Sequence, residues 1–64
     1  MARSIDPATE PLLTIPSVAE FCRVSEKTVR RWIEASELRA AKLGGQWRIR
    51  PVDLEDFIRE RLVR

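Results

Sequence analysis

The segment Val18-Ala19-Glu20-Phe21-Cys22-Arg23-Val24-Ser25-Glu26-Lys27-Thr28-Val29-Arg30-Arg31-Trp32-Ile33 constrains the fold more than any other part of the chain. Two apolar patterns of helical period run through it, and Val24-Ser25 interrupts them. Val18, Ala19, Phe21 and Cys22 are expected to form the buried side of a first helix. Ser25 can cap a second helix with its side chain, and Glu26 beside it favours the positive end of the helix dipole. On that second helix Val29, Trp32, Ile33 and Ser36 recur at i, i+3, i+4 and i+7 and define an inward stripe. Lys27, Arg30, Arg31 and Glu34 repeat the spacing about half a turn away, so an amphipathic helix presents an unusually basic outer face. The two stripes can both be buried only if the helices pack across a tight corner.

The flanks supply what that pair needs to close a core. Leu12 and Leu13 begin the folded part, either as a short strand or as a staple onto the first helix. Thr14 is a good N-cap, and Pro16 is tolerated in a first turn because its missing N–H would lack a partner there. Residues 1–11, with Pro7 and Pro11 and no apolar period, are expected to be a flexible arm ahead of a single domain over 12–64. After the second helix, Gly44-Gly45 separates two short runs, a hairpin signal because both turn positions can take positive φ. In the second run Trp47 and Ile49 point one way and Gln46, Arg48 and Arg50 the other. Two strands are marginal alone, so the hairpin must lean on the helices as a wing. Pro51 suits the first position of a last helix, with Asp53, Glu55 and Asp56 near its start and Arg59, Arg61 and Arg64 near its end. Leu54, Phe57, Ile58 and Leu62 are its expected core stripe. The expected fold is mainly α with a small β-hairpin: a winged helix-turn-helix.

Composition narrows the chemistry. A chain of 64 residues makes one domain and buries only about 60% of the surface that its unfolded form exposes. With one cysteine and no histidine it can form neither an internal disulfide nor a zinc cluster, and no metal or cofactor is expected. Cys22 lies on the inward side of its helix, with no base to activate it, so it reads as packing. No catalytic constellation is visible, and an enzyme is not expected. No apolar run approaches the roughly 20 residues that span a bilayer, so a soluble cytoplasmic protein is expected. The formal charge of +2 is modest, but ten of the twelve cations are arginine, whose planar fork suits phosphate and guanine edges.

A basic helix face by itself is more often solvated surface than binding site. Beside a capped helix start and a glycine-tipped basic hairpin, it reads instead as a surface for duplex DNA. Glu34 shares that face and is expected to pair with Arg30 or Arg31 or to point away from the duplex. Trp47 is open between covering the base of the wing and stacking on a nucleotide.

Leu12-Leu13-Thr14, Val18-Ala19, Val24-Ser25, Thr28-Val29, Arg31-Trp32-Ile33, Leu38, Gly44-Gly45, Trp47-Arg48-Ile49 and Asp53-Leu54-Glu55 follow one another in fixed order. In this the chain resembles the excisionase-type branch of the MerR superfamily of winged helix-turn-helix proteins. The resemblance implies a DNA-binding protein whose second helix enters the major groove while the wing meets an adjacent minor groove or the backbone. It implies helix contacts from Ser25, Lys27, Thr28, Arg30 and Arg31, and wing contacts from Lys42, Gly44, Gly45, Gln46 and Arg48. It further implies a recombination directionality factor, nucleoid-associated in a bacterial or phage-infected cell, that bends attachment-site DNA, self-associates cooperatively on it and recruits a tyrosine-type integrase. The chain stops soon after the last helix, which fits that role. A small MerR-like transcription regulator is the alternative, and an antitoxin-like adaptor without a DNA role is a third. Two positions depart from the pattern: Arg23 and Ser36 stand where glycine is usual, and both sites call for a left-handed backbone.

Overall fold

A computed structural model describes residues 11–63. Apart from Pro11, the expected N-terminal arm lies outside the described residues, as does Arg64. The elements follow the expected order: α1 (Ile15–Cys22), α2 (Glu26–Glu34), β1 (Ala41–Leu43), β2 (Gln46–Arg48) and α3 (Pro51–Glu60).

Helix α1 begins at a reciprocal cap. The Thr14 Oγ1 accepts from the Ser17 N–H at 3.2 Å, and the Ser17 Oγ accepts from the Thr14 N–H at 2.8 Å, so two donors that the helix start would leave unpaired are both satisfied. Because the helix starts at Ile15, its apolar stripe is Ile15, Val18, Ala19 and Cys22, at i, i+3, i+4 and i+7. Ile15, Val18 and Ala19 are buried, and Cys22 is half-buried. Burial pushes the Cys22 thiol above its ordinary pKa, away from the reactive thiolate. Phe21, expected inside, falls off the stripe and is 70% exposed. It stands at the edge of an apolar groove formed with Leu13, Leu54 and Ile58.

Both helices of the pair end in the same way. The Val24 N–H donates to the Ala19 carbonyl at 3.0 Å and the Arg23 N–H to the Glu20 carbonyl at 3.3 Å. One helix later the Glu37 N–H donates to the Trp32 carbonyl at 2.9 Å and the Ser36 N–H to the Ile33 carbonyl at 3.0 Å. These are Schellman closures, which require a left-handed residue just past the helix. Arg23 (φ 59°) and Ser36 (φ 63°) supply it, so the chain accepts the strain that its lack of glycine implies. Ser36 therefore lies beyond α2 and is exposed rather than on the inward stripe. Leu38, 1% exposed, takes the core position instead.

Strands β1 and β2 pair antiparallel with Ala41 opposite Arg48, Lys42 opposite Trp47 and Leu43 opposite Gln46. Gly44 (φ 59°) and Gly45 (φ 81°) make the two-residue turn, in which both positions need positive φ. One residue past β2, Ile49 exchanges two backbone hydrogen bonds with Leu13, at 2.7 and 2.9 Å. This bridge resolves the two readings of Leu12-Leu13 in favour of a strand-like contact, and it ties the base of the wing to the start of α1.

Ile15, Val18, Ala19, Val29, Ile33, Leu38, Ile49, Leu54 and Phe57 form one core. Trp32 packs on Phe57 with ring centroids 4.6 Å apart. Helix α3 ends at Glu60, so Leu62, expected on its core stripe, lies past the last turn and is 72% exposed. Arg61 closes that end: its guanidinium lies 3.7 Å over the Phe57 ring, and it reaches the Glu37 carboxylate at 3.4 Å. At the other end, Arg50 grips the buried Asp53 through two hydrogen bonds of 2.6 and 2.9 Å. Those bonds hold the Asp53 carboxyl below the usual carboxylate range, against the opposing effect of burial. Arg50, the residue that precedes α3, is thereby a structural cation at the start of that helix.

Candidate nucleic-acid interface

Helix α2 buries Val29 and Ile33 and half-buries Trp32, which turns its opposite side outward. The Ser25 Oγ caps it by accepting from the Thr28 N–H at 3.1 Å, and the two hydroxyl oxygens are 3.0 Å apart. Lys27, Arg30 and Arg31 are exposed, while Thr28 is half-buried. At 100° per residue, Glu26, Arg30 and Glu34 form one stripe of this face and Lys27 and Arg31 the next.

The first stripe faces the wing. A groove of about 540 Å³ runs between them, with Glu26, Arg30 and Glu34 on the helix side and Lys42, Gly45, Gln46 and Arg48 on the wing side. Thus Arg30 and four of the five expected wing residues line one surface. Lys27 and Arg31 occupy the flank of α2 beyond it, Ser25 and Thr28 its capped start, and Gly44 the other half of the wing's turn. Among the described residues, no carboxylate is ion-paired with Lys27, Arg30, Arg31, Lys42 or Arg48.

The wing cations are oriented by their neighbours. The Arg48 guanidinium donates to the Trp47 carbonyl and to the Gln46 Oε1, both at 2.9 Å. Lys42 sits cross-strand from Trp47 with its Nζ 4.7 Å from the ring centroid, within range of a cation–π contact. Trp47 is half-buried and packs against the core. It therefore covers the base of the wing and supports a cation there. A Cβ added at Gly44 or Gly45 would meet nothing within 4 Å, so the turn needs glycine for its dihedrals and not for space.

Two features of the groove bear on the sequence reading. Glu34 is not ion-paired with Arg30 or Arg31 among the described residues. An exposed pair four apart gains only ~0.3–0.5 kcal/mol, and the order with the cation first is the weaker one, so little holds it closed. Glu26, read as a helix-start residue, also lines the groove. The i, i+4, i+8 spacing of Glu26, Arg30 and Glu34 was the signal for that stripe.

A helix carrying exposed guanidinium groups, beside a narrow basic hairpin, has the shape and charge to meet a duplex. The major groove of B-DNA admits one helix, arginine can bond guanine O6 and N7 together, and backbone and side-chain N–H groups can hold phosphate. Among the described residues, no cluster of three His, Cys, Asp or Glu side chains could hold a metal ion, and no helix is long and apolar enough to cross a membrane. No curated protein matches the chain. Residues 12–62, which span both helices of the corner, the wing and α3, match the helix-turn-helix domain, a family that includes excisionase-like DNA-binding proteins. With that match over most of its length, the chain belongs to this helix-turn-helix family, and it binds DNA sequence-specifically through that domain.

Proposed function

We propose that the protein is an excisionase, a recombination directionality factor that binds and bends attachment-site DNA so that integrase-mediated excision is favoured. The observation that carries the DNA-contact part is the groove that sets Arg30 of α2 opposite Lys42, Gly45, Gln46 and Arg48 of the wing. A helix in the major groove and a hairpin in the neighbouring minor groove straddle one phosphate strand, and this groove is where that strand would run. Lys27, Arg30 and Arg31 then face base edges and flanking phosphates, with Thr28 and the start of α2 at Ser25 close to the backbone. Gly44 and Gly45 bring the N–H groups of the turn to the sugar–phosphate surface, and Arg48, braced by Gln46, bonds phosphate.

The excision role is supported by the family's excisionase-like members and by the ordered likeness over Leu12-Leu13-Thr14, Arg31-Trp32-Ile33, Gly44-Gly45 and Trp47-Arg48-Ile49. In this role the protein self-associates along neighbouring sites and contacts a tyrosine-type integrase, in the cytoplasm at the nucleoid. Footprinting on the DNA around the gene, followed by an excision assay with the cognate integrase, tests it. Protected sites flanking an attachment core, and excision that depends on the protein, are expected. Protection at a promoter, a promoter response and unchanged excision would make it a small MerR-like transcription regulator instead. Binding to a protein partner that ignores charge reversal at Arg31 and Arg48, with no duplex binding, would make it an adaptor.

A further inference from the structure

The groove between α2 and the wing holds two carboxylates that contact with DNA does not call for. Glu26 and Glu34 are exposed, and among the described residues neither is ion-paired. They bracket Arg30 at i−4 and i+4, each about 6 Å of axial rise away. The place of Glu26 is explained by local electrostatics, since it opens α2 at the positive end of the dipole. The place of Glu34 is not. It is the last residue of α2, where the dipole disfavours a carboxylate, and Arg30 precedes it in the weaker order of an i,i+4 pair. A residue that breaks the local rule with no compensating partner marks a position whose choice function governs.

We propose that Glu34, seconded by Glu26, holds down the affinity of the protein for duplex of arbitrary sequence. The inference rests on the reading of this groove as the DNA-facing surface. A phosphate strand passing between α2 and the wing lies within the screening distance of about 8 Å of both carboxylates. Sequence-independent binding comes almost wholly from cation–phosphate attraction. Each carboxylate therefore subtracts from that attraction. The attraction is nearly the whole of binding to an arbitrary duplex and only a part of binding to the preferred site, where hydrogen bonds to base edges add to it. Three cations, Arg30, Lys42 and Arg48, face two anions here, so the groove attracts a strand only weakly. Weak attraction to bulk DNA is useful to a sequence reader, because competing non-specific sites vastly outnumber its own.

The test compares the full-length wild type with E34Q and the E26Q/E34Q double variant in anisotropy titrations over a range of salt. One duplex is of random sequence, and the other is selected from a random pool by the wild-type protein. E34Q is expected to tighten binding to the random duplex about three- to fivefold, the size of one contact-range charge interaction in water. The double variant should tighten it further and steepen the log–log salt slope by about one unit. Both changes are on the surface, and circular dichroism checks that the variants are folded. Unchanged affinity of E34Q for the random duplex overturns the proposal. So does weaker binding of E34Q to the selected duplex alone, since the carboxylate would then be accepting from a base amine. A wild type that binds neither duplex refutes the DNA-facing reading itself, whereas wild-type binding with inert glutamates refutes only this inference.

Discussion

The helical frame and the wing are held in place by different forces. In α1, α2 and α3 the residues that fix geometry are in the core: Ile15, Val18 and Ala19, then Val29 and Ile33, then Leu54 and Phe57. In the wing every residue from Ala41 to Gln46 is exposed, and only Trp47 and Arg48 are half-buried. Its shape comes from backbone pairing, two positive-φ glycines and the bridge from Leu13 to Ile49, the one fully buried residue at its base. Burial of apolar area is what stabilises so small a domain. The frame therefore carries the stability, and the wing is free to carry charge. A change in the frame's core should appear first in folding, and a change in the wing first in binding.

The largest expected effect lies in the frame. Phe57 is 5% exposed and meets both the Trp32 ring and the Arg61 guanidinium. Phe57→Ala removes that packing and leaves a void, at about 3–5 kcal/mol, a large share of what a domain of this size possesses. Urea denaturation measures it. Leu43→Ala, in the exposed part of β1, should stay within about 0.5 kcal/mol by the same method. Comparable losses from the two substitutions would mean that the wing carries stability as the frame does.

Binding should reverse the ranking. Arg31→Ala is expected to cost about 1–3 kcal/mol on the preferred duplex and to relax base preference, as loss of a base-edge contact does. Arg48→Ala should weaken all duplexes about equally and flatten the salt slope by about one unit, as loss of a phosphate contact does. Titrations on selected and random duplexes at several salt concentrations separate the two. Neither variant should melt more than a few degrees below the wild type.

The comparison also explains what could be read in the sequence. Element order was legible because local signals agree: Thr14 and Ser25 cap, Pro51 opens α3, and Gly44-Gly45 turns the hairpin. The basic face of α2 was legible for the same reason, since a 3.6-residue period places Lys27, Arg30 and Arg31 opposite Val29 and Ile33. A stripe that begins at Val18 takes in Phe21. Counted from Ile15, where the Thr14 cap starts the helix, it excludes Phe21. Leu62 failed because charge and period do not say where α3 stops, whereas Arg61 folding back over Phe57 does. The sharing of one groove by Arg30 and the wing is tertiary, and periodicity within α2 cannot reveal it. The same holds for Arg50, which alternation placed with Gln46 and Arg48 but which turns to Asp53.

That last pair, at the start of α3 just after the wing, gives a pH signature. The Asp53 carboxyl is held below its ordinary pKa, chiefly by the hydrogen bonds from Arg50. A depressed folded-state pKa means that the stabilisation is present above the unfolded aspartate value and is lost as pH falls through the folded one. Arg50 is about half exposed, with 46% of its side chain open to water, so screening keeps the contribution small. Thermal melts should show the wild type losing this increment on acidification below roughly pH 4. In Asp53→Asn the increment should already be missing at neutral pH, and the acid limb correspondingly flatter.

The smallest effects test the backbone, and here the regions should respond with opposite sign. Arg23 and Gly44 share nearly the same left-handed φ, 59° in each case. A side chain in that region costs about 1–2 kcal/mol, and glycine gives back about 0.5–1 kcal/mol through its freer unfolded chain. Arg23→Gly and Ser36→Gly should therefore each stabilise the frame by about 0.5–1 kcal/mol, and Gly44→Ala should destabilise the wing by a similar amount. A Cβ at Gly44 meets no neighbour, so its penalty would be purely torsional. Denaturant midpoints at constant slope provide the measurement. Should Arg23→Gly fail to stabilise, the Arg23 side chain must itself contribute at least what its backbone costs, and the corner of the helix pair would be held by more than its two carbonyl closures.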